Sequence, residues 1–159
     1  TDHYDPMAKV VRLSETVYGS NSISAIGVAA HEVGHAIQHQ QEYGPLTLLH
    51  RLVPVTNFAS SASFPILLLG FVINSADLIM VGIILFSAVV LFHVVTLPVE
   101  LNASNRAVLQ LSEAGIISAS EVPMVKKVLG AAALTYLAAT LSAIANLLYY
   151  LTIFGGSDE

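Results

Sequence analysis

The sequence predicts an all-α membrane protein: a transmembrane hairpin plus a third transmembrane helix, joined to a small part on the cytoplasmic side. Three observations predict it. Charged residues make up only 11% of the 159 positions, against roughly 25% in an average soluble domain, and the mean hydropathy is +0.72. Three stretches, Leu52 to Ala76, Leu78 to Val99 and Val128 to Ser157, contain no Asp, Glu, Lys or Arg. Each exceeds the ~18–20 residues a helix needs to cross a bilayer, and three such runs in succession are rare in a soluble domain. Finally, all six basic residues (Lys9, Arg12, Arg51, Arg106, Lys126, Lys127) lie in segments 1–51 and 100–127, whereas the other side of the spans carries only Asp77, Asp158 and Glu159. By the positive-inside rule the basic side is cytoplasmic.

The elements follow in order. Thr1 is not Met, residues 1–20 are polar and no signal peptide is visible; the expectation is that a further N-terminal segment precedes residue 1. "DHYDPMAKVVRLS" reads as a short β-hairpin or edge strand, turned at Asp5-Pro6. Asn21 or Ser22 caps a helix that runs to about Gln41, apolar nearly all round and therefore buried, with Gly44-Pro45 as its stop. The transmembrane segments are expected at about 58–74, 78–98 and 130–154, within one membrane-embedded domain over 1–159. The first is the weakest. Its opening half carries Pro54, but Ala59 to Ser63 are small residues of the kind that let membrane helices pack closely. "INSAD" (Ile73 to Asp77) is the hairpin turn. Gly115 is a C-terminal stop for the second long helix. Ser118 and Glu121 form a capping box for the third, with Pro123 in its first turn.

Composition also excludes functions. Six basic residues do not make a nucleic-acid face. With no Cys, disulfides and thiolate metal sites are out, so a transition-metal site must use His and carboxylate.

Such a site is written in "AAHEVGHAIQHQ", Ala29 to Gln40. His31 to His35 fits H-E-x-x-H on a helix. Residues four apart lie ~40° apart around the axis and ~6 Å along it, so the imidazoles of His31 and His35 converge on one zinc ion. Glu32, ~100° round from His31, reaches a water on that ion and serves as its general base. Left without such a role, two histidines and a glutamate in an apolar helix would be costly. His39 continues the spacing, but at ~12 Å along the axis and ~80° round it cannot share an ion with His31. It reads as a polar residue near the helix C-terminus, where positive charge is favoured.

The third ligand must come from the basic side, where the second span returns. Glu100 is favoured; Glu42, Glu113 and Glu121 are the other acidic residues considered, and Asp77 is on the wrong side. Ala103, Ser104 and Ala107 share the Glu100 face, and their small side chains permit close approach to the motif helix. His93, Thr96, Glu100 and Ser104 form one stripe. His93, an ionisable group within a span, is a functional hypothesis by default and is read here as a neutral histidine bonded to a neighbouring helix. Arg106 lies off the stripe and reads as an interfacial anchor rather than an oxyanion clamp. "NAS" at Asn102 formally matches a glycosylation sequon, which a cytoplasmic face discounts.

"HYDPMAKVVRLS", "GVAAHEVGHAIQHQ", "LVPVTNF", "TLPVELNAS" and "KKVLGAAALTYLAATL" together resemble the bacterial membrane neutral zinc metallopeptidase family of the YugP type, over nearly the whole chain. The resemblance implies a zincin-like peptidase in the bacterial cell membrane, with a protein or peptide substrate. More distantly, the chain resembles the HtpX and CAAX prenyl protease class of gluzincins, whose E-x-x-A-D supplies the third ligand through its Glu. Glu100 and Ala103 match, while Ser104 stands in place of the Asp; a hydroxyl there can still bond a ligand histidine. The resulting expectation is a zinc-dependent membrane endopeptidase holding one Zn²⁺ per chain on His31, His35 and Glu100, with Glu32 as base and the lipid bilayer as its surroundings. The rivals are a zinc-bound, non-proteolytic scaffold or regulator and a metal transporter. Intact Glu32 argues against the first, and spans with few polar groups beyond His93 argue against the second.

Overall fold

A computed structural model describes residues 1–157; Asp158 and Glu159, counted above on the far side of the spans, lie outside the described residues. The chain is mostly helical. Two short strands, β1 (His3–Asp5) and β2 (Val10–Arg12), are followed by α1 (Glu15–Tyr18), α2 (Ile23–Gln40), α3 (Gly44–Val72), α4 (Ala76–Glu113) and α5 (Val122–Ser157). Helices α3, α4 and α5 are long and apolar enough to cross a membrane, so the predicted class holds: a helical membrane protein with a two-stranded appendage.

The hairpin forms where Asp5-Pro6 places it. Tyr4 pairs with Val11 in antiparallel register. The Asp5 carboxylate accepts from the backbone N–H groups of Met7 (2.9 Å) and Ala8 (3.1 Å) and pairs with the Arg12 guanidinium across the strands. That guanidinium, together with the two turn N–H groups, holds the Asp5 carboxyl down at about 2. Ser22 caps α2, accepting from Ala25 N–H at 3.1 Å, a bond worth about 1 kcal/mol. In the α3–α4 turn, Asn74 takes a left-handed conformation (φ 55°) and Ser75 N–H bonds the Gly70 carbonyl at 2.8 Å. Asn tolerates that conformation at a helix C-terminus. Gly115 does the same after α4 (φ 70°), with Ile116 N–H on the Leu111 carbonyl. Before α5, the Glu121 carboxylate accepts from Ser118 N–H at 2.9 Å, the returning arm of the expected capping box.

One boundary differs from the sequence reading. Gly44-Pro45 does not act as a stop for α2, which ends at Gln40; it opens α3, which then runs unbroken through Pro54 and Pro65. Proline in the first turn costs nothing, because that N–H has no helical partner anyway. Inside an apolar membrane helix a single missing N–H is tolerated.

The described residues fall into two compact units. The first comprises Thr1–Thr47 and Leu97–Tyr136, the second Leu48–Thr96 and the chain from Leu137 on. In the first, Ala30, Ala107, Leu111, Ile117, Val125 and Leu129 form the buried core. In the second, Leu67, Ile79 and Ile83 are buried, with Leu147, Tyr150 and Phe154 packed against them. Ala59 and Ser63 are buried there too, as their size allows.

In the first unit α2 and α4 approach one another closely. Ala103 and Ala107 are essentially inaccessible. A Cβ placed on Gly34 would lie 2.4 Å from the Ala103 carbonyl oxygen, a backbone atom that cannot swing aside. Gly34 therefore sets the distance between the two helices, and it sits between Glu32 and His35.

Candidate metal centre

That contact brings the sequence-predicted residues together. His31, His35 and Glu100 each offer a ligand atom, all within 4.8 Å of one another. His31 Nε2 lies 2.8 Å from Glu100 Oε2, and His35 Nε2 lies 3.1 Å from Glu100 Oε1. The two imidazoles meet edge to face with centroids 4.8 Å apart. Their side chains are only 15% and 12% exposed, that of Glu100 29%, so the cluster is mostly shielded from bulk water.

The outer nitrogens are held as well. His31 Nδ1 is 2.9 Å from Ser104 Oγ. His35 Nδ1 is 2.8 Å from Gln38 Oε1. Sequence reasoning missed Gln38, although it lies one turn from His35 on the same face. It is fully buried, and its amide nitrogen donates to the Val99 carbonyl and to Asn102 Oδ1, both at 2.9 Å. Two acceptors on that nitrogen turn Oε1 towards His35, so His35 Nδ1 carries the hydrogen and donates it. In the neutral ring, Nε2 then presents a lone pair to a carboxylate oxygen 3.1 Å away. Two acceptors face one another, an arrangement that requires a cation between them: a proton or a metal. Burial by itself would lower the His35 imidazole pKa, but the Glu100 carboxylate raises it on balance. The donor set, two imidazole nitrogens and a carboxylate with their outer bonds made, fits zinc with an open fourth position.

Replacing Gln38 by Leu is expected to lower zinc affinity about 10–100-fold, the usual effect of losing a partner that orients a ligand. Competition with a chromogenic chelator measures it.

A cavity of about 250 Å³ opens on the cluster. His31, Glu32, Glu100 and Ser104 line it on one side; Leu129, Ala132, Ala133 and Tyr136, one stripe of α5, line it on the other. That stripe also escaped sequence reasoning, because apolar residues in an apolar span carry no distinguishing signal. Glu32 faces the cavity without joining the ligand cluster. Burial pushes its carboxyl pKa up, against the opposing pull of His35 and His31.

The remaining residues sit elsewhere. His39 Nδ1 meets the Tyr4 hydroxyl at 2.6 Å, tying α2 to β1. Glu42, with φ 55°, borders a separate pocket; Glu113 is exposed at the end of α4, and Glu121 caps α5. His93 is half-buried in the second unit. Arg106 does not line the cavity; it bonds Asn102 and Gln41 and lies over the Tyr43 ring.

An H-E-x-x-H helix whose two histidines meet a distant glutamate, in a chain with three apolar spans, has the form of a membrane zinc peptidase. The chain belongs to the family described as "Putative neutral zinc metallopeptidase", which it matches over residues 1–155. Among curated relatives, "Putative membrane protease YugP" of Bacillus subtilis (strain 168) is 55% identical over 160 residues, covering 100% of this chain and 71% of that protein. No solved structure matches the chain.

Proposed function

We propose that the chain is a zinc-dependent integral-membrane endopeptidase that acts on a protein or membrane-associated peptide from the cytoplasmic side. The observation that carries this reading is the convergence of His31 Nε2, His35 Nε2 and the Glu100 carboxylate, with His35 turned to offer its lone pair. These three residues hold one zinc ion per chain. Bound zinc supplies a Lewis acid that polarises the scissile carbonyl and makes water acidic near neutral pH. The Glu32 carboxylate accepts the proton of the attacking water and passes it to the leaving amine. Its half-buried place in the cavity supports that role, since desolvation raises its affinity for the proton. Ser104 and Gln38 hold the imidazoles in register while this happens. The family membership and the relative's name support peptide hydrolysis at a membrane. The charge asymmetry, six basic residues against none, supports the cytoplasmic side.

The test is metal removal from the purified, membrane-reconstituted protein. Dialysis against 1,10-phenanthroline is expected to abolish cleavage of an unstructured protein such as β-casein, and one equivalent of Zn²⁺ to restore it. Zinc bound stoichiometrically with no cleavage, before or after reloading, would favour the non-proteolytic scaffold.

A further inference from the structure

We infer that Arg106 is a positioning residue for the metal centre: acting through the amides of Asn102 and Gln38, it keeps the His35 proton on Nδ1 and leaves Nε2 free. The inference rests on the reading of His35 as a ligand. Arg106 Nε donates to Asn102 Oδ1 at 2.7 Å. A guanidinium can only donate, so it fixes which end of the Asn102 amide faces it. The same Oδ1 accepts from Gln38 Nε2 at 2.9 Å. The other N–H of Gln38 is taken by the Val99 carbonyl at 2.9 Å, which leaves Oε1 as the only end that can face His35 Nδ1, at 2.8 Å.

Each link is directional. If Asn102 turned over, its NH₂ would face both the guanidinium and the Gln38 NH₂. Gln38 is completely buried, so water does not replace the lost acceptor, and a buried N–H without one costs about 1–3 kcal/mol. A turned Gln38 escapes that penalty at the cost of its bond to the Val99 carbonyl, and its NH₂ would donate to His35 Nδ1. The ring proton would then sit on Nε2, the atom 3.1 Å from Glu100 Oε1, where it blocks ligation. Arg106 is itself held, by the Gln41 side chain at the end of α2 and by the Tyr43 ring 5.4 Å below its guanidinium carbon. The connection between α2 and α3 therefore fixes the donor that orients Asn102, and the Val99 carbonyl is the second hold on Gln38.

The experiment uses the full chain in lipid nanodiscs and reads two quantities: the zinc dissociation constant by chelator competition, and the His35 tautomer of the metal-free protein from ¹³C and ¹⁵N ring shifts. Arg106→Met is expected to weaken zinc binding about tenfold and to convert His35 from a single Nδ1–H form to a mixture. Adding Asn102→Asp is expected to restore both, because a carboxylate accepts on both sides and needs no arginine to orient it. A purely structural role for Arg106 would not be rescued in this way. Arg106→Leu, likewise unable to donate, gives the same comparison should the Met variant fail to accumulate. Unchanged affinity and tautomer in Arg106→Met, or no rescue by Asn102→Asp in a folded protein, overturns the inference. If the wild type binds no zinc, the metal reading fails instead, and the tautomer comparison on the metal-free chain still judges Arg106.

Discussion

Replacing Glu32 by Gln is expected to leave zinc bound at one ion per chain and to reduce peptide hydrolysis by about 10²–10⁴-fold, the range general acid–base catalysis supplies. The substitution keeps the size and polarity of the side chain and removes its ability to take a proton. Because Glu32 lines the cavity but stands outside the ligand cluster, the two readouts should separate. Metal content and thermal stability stay near wild type while turnover collapses. Cleavage of β-casein at an undiminished rate by the Gln variant would remove Glu32 from the mechanism. Loss of zinc along with activity would mean that Glu32 is a ligand and that the three-residue donor set is wrong.

The second large effect concerns Glu100. It is expected that Glu100→Ala loses zinc affinity by more than ~100-fold, since partners that merely orient a ligand are already worth 10–100-fold. Its carboxylate touches both Nε2 atoms, at 2.8 and 3.1 Å, so its removal leaves two imidazoles and no anion to offset the charge of the ion. Glu42→Ala and Glu113→Ala serve as controls and should keep full occupancy, because neither belongs to the cluster. Full zinc occupancy in Glu100→Ala would sink the assignment.

Local signals were legible in the chain, and contacts between distant segments mostly were not. H-E-x-x-H, the Ser22 cap and the Gly115 stop act within a few residues, and each uncharged run is one continuous segment, so spacing and length are the physics. Glu100 was reachable only by following the topology of a hairpin and asking which carboxylate returns. Gln38 and Asn102 were invisible as partners because they are 64 residues apart, and a buried glutamine looks in sequence like any exposed one. Gly44-Pro45 was misread for a different reason. The pair is as well suited to start a helix as to end one, and only the continuous apolar run beyond it decides. The α5 stripe of Leu129, Ala132, Ala133 and Tyr136 became meaningful only when a cavity was seen in front of it.

The distance between the ligands along the chain has a consequence in time. His35 and Glu100 are 65 positions apart (100 − 35), and the α3–α4 turn lies between them. At roughly 5–20 residues per second of synthesis, the nascent chain carries its two histidines for several seconds before the glutamate exists. In a transmembrane hairpin the turn has to cross the bilayer and α4 has to return before Gly34 can meet Ala103. A chain caught part-way through insertion thus has a motif but no complete donor set. Under the proposed function the chain is born inert, and insertion into the membrane is what arms it.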